Sequence, residues 1–142
     1  MPRLTLTTWR PDLFQQIRAD RGRTLEQVAM DADIHVATVR SYISNNAPTP
    51  ANLVALAAAL DVATTDLAPL QDPPRMHELR WHAGLTVAQL ATKLNLTANT
   101  IGGTLRGAAP ITRPDQWAHA LNTDTHTLDA AWHATREDLK RR

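Results

Sequence analysis

Two short stretches of this chain place hydrogen-bonding side chains at the spacing of one helix face. The first stretch presents a small apolar pair followed by two polar residues: Val36, Ala37, Arg40 and Ser44. The guanidinium of Arg40 is a planar pair of donors that matches the two acceptors on the major-groove edge of guanine. In the second stretch the amide of Asn99 could bind adenine in the same bidentate way. The chemistry that these residue types support is the reading of base edges in a DNA duplex.

Further side chains around these positions could hold the DNA backbone. Val36 and Ala37 could pack on thymine methyl groups, while Thr38, Ser41 and Asn46 could bind phosphate and set the register. Arg106 is a candidate phosphate ligand in the second stretch. The candidate DNA-binding residues of the first stretch are Thr24, Gln27, His35, Val36, Ala37, Thr38, Arg40, Ser41, Ser44 and Asn46. Those of the second stretch are Thr86, Gln89, Thr97, Ala98, Asn99, Thr100, Gly103 and Arg106.

Both stretches belong to a pattern that occurs twice at one fixed offset along the chain. Residues 24–29 (TLEQVA) recur as residues 86–91 (TVAQLA), and Arg18 recurs as Arg80. Thr38-Val39 recurs as Thr100-Ile101, and Asn45-Asn46-Ala47-Pro48 as Gly107-Ala108-Ala109-Pro110. A repeat at one period indicates one supersecondary unit used twice. We therefore predict domains at 1–70 and 75–142, joined by a linker at 71–74 that contains two prolines.

The elements that position the candidate residues are predicted to be helices. Pro11 suits the first position of a helix, Gly22 ends it, and Thr24 with Gln27 forms a capping box for the next helix. Asp33 and Asn95 are expected in left-handed turns, and Asn45 and Gly107 as left-handed caps. The other helices of the first unit are predicted near 35–44, 51–60 and 65–70. Those of the second unit are predicted near 75–82, 87–93, 98–106, 114–121 and 128–140.

The third helix of each unit should bury one face and leave the other free. The predicted buried stripes are Val39, Tyr42 and Ile43 in the first unit and Ile101, Thr104 and Leu105 in the second. The pair Gly102-Gly103 is unusual inside a helix, because each glycine costs about 1 kcal/mol relative to alanine. The glycines permit close approach to DNA or to another helix, or else the second unit serves as a scaffold or dimer module without reading bases.

Composition limits the functional classes further. The 142 residues include no cysteine, aromatic residues make up only 4%, and the net charge is +1. Residues 1–74 carry six basic and eight acidic side chains, whereas residues 75–142 carry nine and six. The second half should therefore supply more of any attraction to phosphate. No apolar run could span a bilayer, and we expect an all-α protein in the cytoplasm, without membrane contact.

The histidines and tryptophans have simpler interpretations than ligand binding. His119, His126 and His133 are seven residues apart, but residues 122–125 are expected to break the helix between them. The four tryptophans (Trp9, Trp81, Trp117 and Trp132) are expected to pack in the core or between the two repeats rather than stack on bases. No catalytic grouping and no phosphate-binding glycine loop is evident, so neither an enzyme nor a metal or other cofactor is expected.

The pattern as a set resembles the Cro/C1-type (XRE-like) helix-turn-helix family, twice in tandem. The matching residues in the first copy are Arg18, Thr24, Gln27-Val28-Ala29, Ile34, Thr38-Val39, Asn45, Pro48 and the helix from Leu53 to Leu60. Those in the second copy are Arg80, Gly84-Leu85-Thr86, Gln89-Leu90-Ala91, Leu96, Thr100-Ile101, Gly107 and residues 117–121. The resemblance implies compact five-helix domains that bind operator DNA, often as a dimer. The chain departs from the family at Leu25 and Val87, where a glutamine often contacts the DNA backbone.

Two functions follow as hypotheses. The first is a sequence-specific regulator that inserts helices near 35–44 and 98–106 into the major groove of double-stranded DNA. Its two units could read two half-sites as a pseudo-dimer, or the first could read DNA while the second forms a homodimer. The second hypothesis is an interaction module, such as an antitoxin or an adaptor, that binds a protein partner and has little DNA reading.

Overall fold

The computed structural model describes residues 8–44 and 46–142, and this part of the chain is helical without strands. It divides into two compact units between Pro69 and Leu70. The first unit contains α1 (Pro11–Asp20), α2 (Leu25–Ala32), α3 (Val36–Ser44), α4 (Pro50–Leu60) and α5 (Thr64–Leu67). The second unit contains α6 (Met76–His82), α7 (Val87–Leu94), α8 (Ala98–Leu105), α9 (Pro114–Ala120) and α10 (Thr125–Lys140).

The start and stop signals in the first unit act as the sequence predicts. Pro11 occupies the first position of α1, and Gly22 follows the helix with a φ of 64°, a conformation that costs glycine little. Thr24 and Gln27 form the complete capping box at the start of α2. Asp33 ends α2 with a left-handed φ of 57°.

The core of the first unit is built from one face of each helix. Its members are buried apolar side chains from α1 to α5, among them Phe14, Val28, Val39, Leu53, Leu56, Leu60 and Leu67. Burying a side chain of this size contributes roughly 1.5–3 kcal/mol, so the helices are held mainly by their packing. Trp9, which precedes α1, packs against Phe14 with ring centroids 5.7 Å apart. The core therefore supports α3 from one side and leaves its other side outside the packing.

The second unit has its own core and a tightly held N-terminal segment. Met76, Leu90, Ile101, Trp117 and Leu128 are almost completely buried. The buried carboxylate of Glu78 accepts hydrogen bonds from the main-chain nitrogens of Gln71 (3.0 Å) and Arg75 (2.8 Å). Residues 71–74, expected to be a linker, are therefore tied to α6 at Gln71.

Some helix bounds differ from the predicted ones for local reasons. The last helix begins at Thr125 rather than near 128, because the Asp124 carboxylate caps it by accepting from the Thr127 nitrogen at 2.6 Å. The fifth helix ends at Leu67 rather than near 70. Asn95 and Gly107 have the predicted left-handed φ, of 53° and 76°. The left-handed cap expected at Asn45 lies outside the described residues.

Across the described ranges, the search for a helix long and apolar enough to cross a membrane finds none.

Candidate nucleic-acid interface

Hydrogen bonds fix both the start of α2 and the turn that leads from α2 to α3. At the start of α2 the Thr24 hydroxyl accepts from the Gln27 nitrogen at 3.1 Å, and the Gln27 amide oxygen accepts from the Thr24 nitrogen at 2.9 Å. After Asp33 the nitrogen of Ile34 donates to the oxygen of Ala29 at 3.0 Å. The Ile34–Ala29 bond closes the turn from which α3 leaves α2, whereas the Thr24–Gln27 bonds lie at the other end of α2. These latter bonds mean that Thr24 and Gln27, both candidate DNA ligands, are already used in a cap.

Helix α3 buries the predicted stripe and leaves the candidate face open. Val39 is fully buried and Tyr42 nearly so. Ile43, the third predicted member, is only half-buried. On the other side Ala37, Arg40 and Ser44 are exposed, and Val36 is half-buried. A helix with one face packed and the other face open is what insertion into a major groove requires.

The C-terminal end of α3 is anchored by two hydrogen bonds from distant parts of the chain. The Trp9 indole donates to the main-chain oxygen of Tyr42 at 2.9 Å, within the core. The Asn52 amide on α4 donates to the Tyr42 hydroxyl oxygen at 2.7 Å. Sequence reasoning placed Trp9 in the core but did not assign it this contact, because an indole donor and a main-chain acceptor leave no pattern in the sequence.

Arg40, the side chain predicted to read a base in the first unit, has a charged partner. Arg40 Nη2 lies 2.8 Å from Glu26 Oε1, which joins the middle of α3 to the first turn of α2. Both side chains are more than half exposed. The sequence does not reveal Glu26 as the partner of Arg40, because the pair joins two successive helices and depends on the geometry of the turn.

The other polar candidates of the first unit are partly engaged in local hydrogen bonds. His35 Nδ1 accepts from the Ala37 nitrogen at 3.2 Å and so caps α3. The Ser41 hydroxyl donates to the Thr38 oxygen at 2.6 Å, and both residues are half-buried. The Ser44 hydroxyl is 3.4 Å from the Arg40 oxygen. Asn46 is exposed. Their roles in binding phosphate stay predictions.

Of the five arginines that the structure describes in the first unit, three are paired with acids. Besides Arg40 with Glu26, Arg10 pairs with Asp12 and Arg23 pairs with Asp31. These pairs are exposed, so each contributes little to stability, but each places a negative charge beside a positive one. The field that the first unit presents to a phosphate backbone is reduced accordingly.

Helix α8 of the second unit has the same one-sided burial as α3. Ile101, Thr104 and Leu105 are buried as predicted. Thr97 caps the helix, since its hydroxyl oxygen accepts from the Thr100 nitrogen at 3.1 Å. The exposed residues on and beside the helix are Thr97, Ala98, Asn99, Thr100 and Arg106. Thr86 and Gln89 form a capping box at α7 with the same bond lengths as in the first unit.

The two glycines of α8 are not required by the packing of their own unit. A Cβ atom at Gly103 would lie 3.6 Å from the Ala109 Cβ, which is an ordinary contact. At Gly102 it would meet only the flexible end of Arg106, at 3.1 Å. The structure therefore offers no internal reason for a glycine at either position.

An arginine in each unit holds the chain ahead of the capping threonine. Arg18 Nη1 donates to the Arg23 oxygen, and Arg80 Nη1 donates to the Leu85 oxygen, both at 2.7 Å. These arginines recur in the sequence pattern, and the structure supplies the physical reason: each satisfies a carbonyl that the turn leaves unpaired.

The histidine series is divided between helices. His119 lies in α9, while His126 and His133 lie in α10. In the part of the chain that the structure describes, no group of three potential metal ligands comes together.

Comparison with known proteins finds a family match within the first unit. Residues 14–67, just over a third of the chain, match the helix-turn-helix family. No curated protein and no solved structure is significantly similar to the chain. The matched segment runs from α1 to the end of α5 and contains the Thr24 capping box, the Asp33 turn and all of α3. The match of residues 14–67 to the helix-turn-helix family supports a DNA-binding role for the first unit and, with it, a role in transcription regulation.

Proposed function

We propose that this protein is a sequence-specific DNA-binding regulator whose helix α3 reads bases in the major groove. The observation that carries the proposal is the open face of α3, where Ala37 and Arg40 are exposed while Val39 is fully buried behind them. Arg40 is the side chain that would recognise guanine. The methyl group of Ala37 would make an apolar contact with the methyl group of a thymine. The protein acts by binding rather than by catalysis.

We propose further that the second unit is a second helix-turn-helix. This proposal is supported by local hydrogen bonds and backbone conformations that are the same in the two units. The capping boxes at Thr24 and Thr86 agree to 0.1 Å in both hydrogen bonds, and Asp33 and Asn95 share the left-handed conformation. Ile34 and Leu96 donate to the oxygens of Ala29 and Ala91 at the same 3.0 Å.

The two units differ in the charge that they offer to DNA. Arg106 ends α8 and Arg113 precedes α9; both are exposed, and neither pairs with an acidic residue of the described chain. In the first unit Arg10, Arg23 and Arg40 are paired with acids, whereas the exposed Arg21 contacts the Asp61 main-chain oxygen at 3.5 Å. The proposal therefore gives base reading mainly to α3 and much of the phosphate contact to the second unit.

The test is a selection of bound duplexes from a random pool, followed by binding of selected and random duplexes at about 50–200 mM salt. R40A should relax the preference at one base pair, by roughly 1–3 kcal/mol of discrimination. R106A should weaken binding to all sequences alike. It should also reduce the slope of the logarithm of the binding constant against the logarithm of the salt concentration by about one, as expected for the loss of one phosphate contact. A wild-type protein that binds selected and random duplexes equally would exclude sequence-specific reading.

A matched pair of charge insertions tests whether α3 enters the groove. A37E places a carboxylate on the open face of α3, and A19E places one on an exposed position of α1. Both change the net charge equally, and both positions are exposed, so their effects on stability should be small. A37E should abolish specific binding, and A19E should reduce it only slightly. Equal effects would place the DNA elsewhere on the protein.

A second candidate function is supported by the surface of α8. The Gly102-Gly103 pair is half-buried and has no internal packing role, and without side chains at these positions another helix could approach the backbone closely. In this alternative the second unit binds a protein partner or a second copy of the chain. It predicts co-purification with that partner and unchanged DNA binding in variants of Asn99 and Arg106.

A further inference from the structure

The contact between Glu26 and Arg40 joins the two helices of the first helix-turn-helix on its open side. Glu26 lies in the first turn of α2, and Arg40 lies on the exposed face of α3. Their closest atoms, Oε1 and Nη2, are 2.8 Å apart, a charge-assisted hydrogen bond of good length. An exposed pair such as this contributes little to folding, so the fold does not depend on it.

A carboxylate at this place has an electrostatic cost for a protein that binds DNA. A negative side chain in the first turn of α2 is favoured by the helix dipole, but it would face the same phosphates that the N-terminal end of α2 attracts. With Arg40 beside it, the local charge is close to zero. Glu26 should therefore weaken sequence-independent binding to DNA. Any favourable effect of Glu26 on DNA recognition should be an effect on specificity.

The second unit provides a comparison within the same chain. The residue that corresponds to Glu26 in the repeat is Ala88, and the residue that corresponds to Arg40 is Gly102. The acid and the arginine are thus present together in the first unit and absent together from the second. This pairing is what a two-residue device requires, because neither residue alone would be useful in the same way.

We infer that Glu26 is a positioning residue that orients the Arg40 guanidinium for guanine. One hydrogen of Nη2 is held by the carboxylate, and the remaining donors of the planar group stay available for the two acceptors of the base. Fixing the guanidinium before binding reduces the rotamer entropy lost when the base contact forms. The carboxylate also disfavours binding to DNA that gives Arg40 no base to contact, so it increases the difference between right and wrong sites. This inference rests on the proposed function of α3.

The test compares E26A and E26Q in the full chain, with R40A and the double variant E26A/R40A. The probes are the selected duplex, the same duplex with the guanine recognised through Arg40 replaced, and a random duplex. In wild type the guanine preference should be roughly 5- to 150-fold. E26A should reduce that preference by about 3- to 10-fold while it strengthens binding to the random duplex at low salt. E26Q should keep part of the preference, because its amide oxygen can still accept from Arg40, and should share the stronger random binding.

The exposed pair of Arg10 and Asp12 supplies the control. D12A removes the same charge from a pair of similar exposure on another part of the same unit. It should leave the guanine preference unchanged, and it should strengthen random binding less than E26A.

The outcomes separate this inference from the proposed function. If wild type has no guanine preference that R40A removes, the proposed function itself fails. If R40A removes the preference and E26A does not change it, Arg40 reads the base without help and the inference is wrong. If E26A changes the preference at a neighbouring base pair, and the same change is present in E26A/R40A, then Glu26 reads that base pair directly. This result would also overturn the inference. The expected result is that E26A has no further effect on specificity in the R40A background.

Discussion

The indole nitrogen of Trp9 and the main-chain oxygen of Tyr42 are joined by a buried hydrogen bond of 2.9 Å. Trp9 precedes α1, and Tyr42 lies in the last turns of α3. The bond therefore connects the start of the domain to the helix that carries the candidate DNA-binding face. A similar bond occurs in the second unit, where the Trp132 indole donates to the Ala109 oxygen at 2.9 Å, but in a partly exposed setting.

The two indole bonds predict different costs for the same substitution. W9F keeps an aromatic ring in the core but leaves a buried carbonyl without its donor, which should lower the free energy of unfolding by about 1–3 kcal/mol. W132F should cost less, because water can reach the freed carbonyl at a partly exposed site. Urea denaturation of both variants would measure the difference. Equal losses would mean that burial does not decide the strength of these bonds.

Gly107 and Gly22 predict a second contrast between matched substitutions. Both have a positive φ, but a Cβ at Gly107 would lie 2.8 Å from the Arg136 Cα, whereas a Cβ at Gly22 would have nothing within 4 Å. G22A should cost about 1 kcal/mol for the left-handed backbone alone. G107A adds a collision with the backbone of α10, which cannot move aside as a side chain could, and should cost roughly 2–4 kcal/mol in total. Thermal unfolding that ranks G22A as the more damaging variant would contradict this account.

Features that depend on residues close together in the sequence could be predicted from the sequence. Thr24 with Gln27, Asp33 and Asn95 were predicted correctly, because caps and left-handed turns are determined by residues three or four positions apart. The buried stripes followed from helical spacing, although Ile43 is only half-buried. The predicted first and last residues of the helices agree less well with the structure. The start of α10 was placed three residues late, because the cap by Asp124 was not recognised.

Contacts between elements distant in the sequence could not be predicted. The partner of Arg40 depends on how α2 and α3 cross, and that of Trp9 depends on a chain segment 33 residues away. The hydrogen bonds of Arg18 and Arg80 were also missed, although both arginines were recognised as part of the repeat.

The pair of Arg75 and Asp138 predicts a pH-dependent contribution to stability. Arg75 Nε lies 2.7 Å from Asp138 Oδ2, and this hydrogen bond lowers the pKa of the Asp138 carboxyl below its ordinary value. A lowered pKa in the folded state stabilises the fold above the pKa of the unfolded state, about 3.9, and this contribution is lost as the pH falls below it. D138N should therefore lower the free energy of unfolding at pH 7 by up to about 1 kcal/mol, and the difference from wild type should shrink below pH ~4.

The neighbouring acid Glu137 provides the control for that experiment. Its carboxylate contacts Lys140 at 3.2 Å on the same helix, and both side chains are more than half exposed. E137Q should change stability less than D138N at pH 7, since an exposed pair is screened by solvent. Urea denaturation at pH 7 and pH 3 would measure both. A D138N deficit that persists unchanged at pH 3 would show that the ion pair is not its cause.

The glycines of α8 predict opposite effects on stability and on binding. G103A should stabilise the protein by about 0.5–1 kcal/mol, because alanine is the better helix former and its Cβ meets only an ordinary contact with Ala109. If the glycine is there because DNA or another helix approaches the backbone of α8, the same methyl group should weaken that association. Thermal unfolding, DNA binding and sedimentation of the variant would measure the three quantities. Higher stability with unchanged DNA binding and unchanged self-association would remove close approach as the reason for Gly103, and lower stability would show that the Ala109 contact cannot accommodate a methyl group.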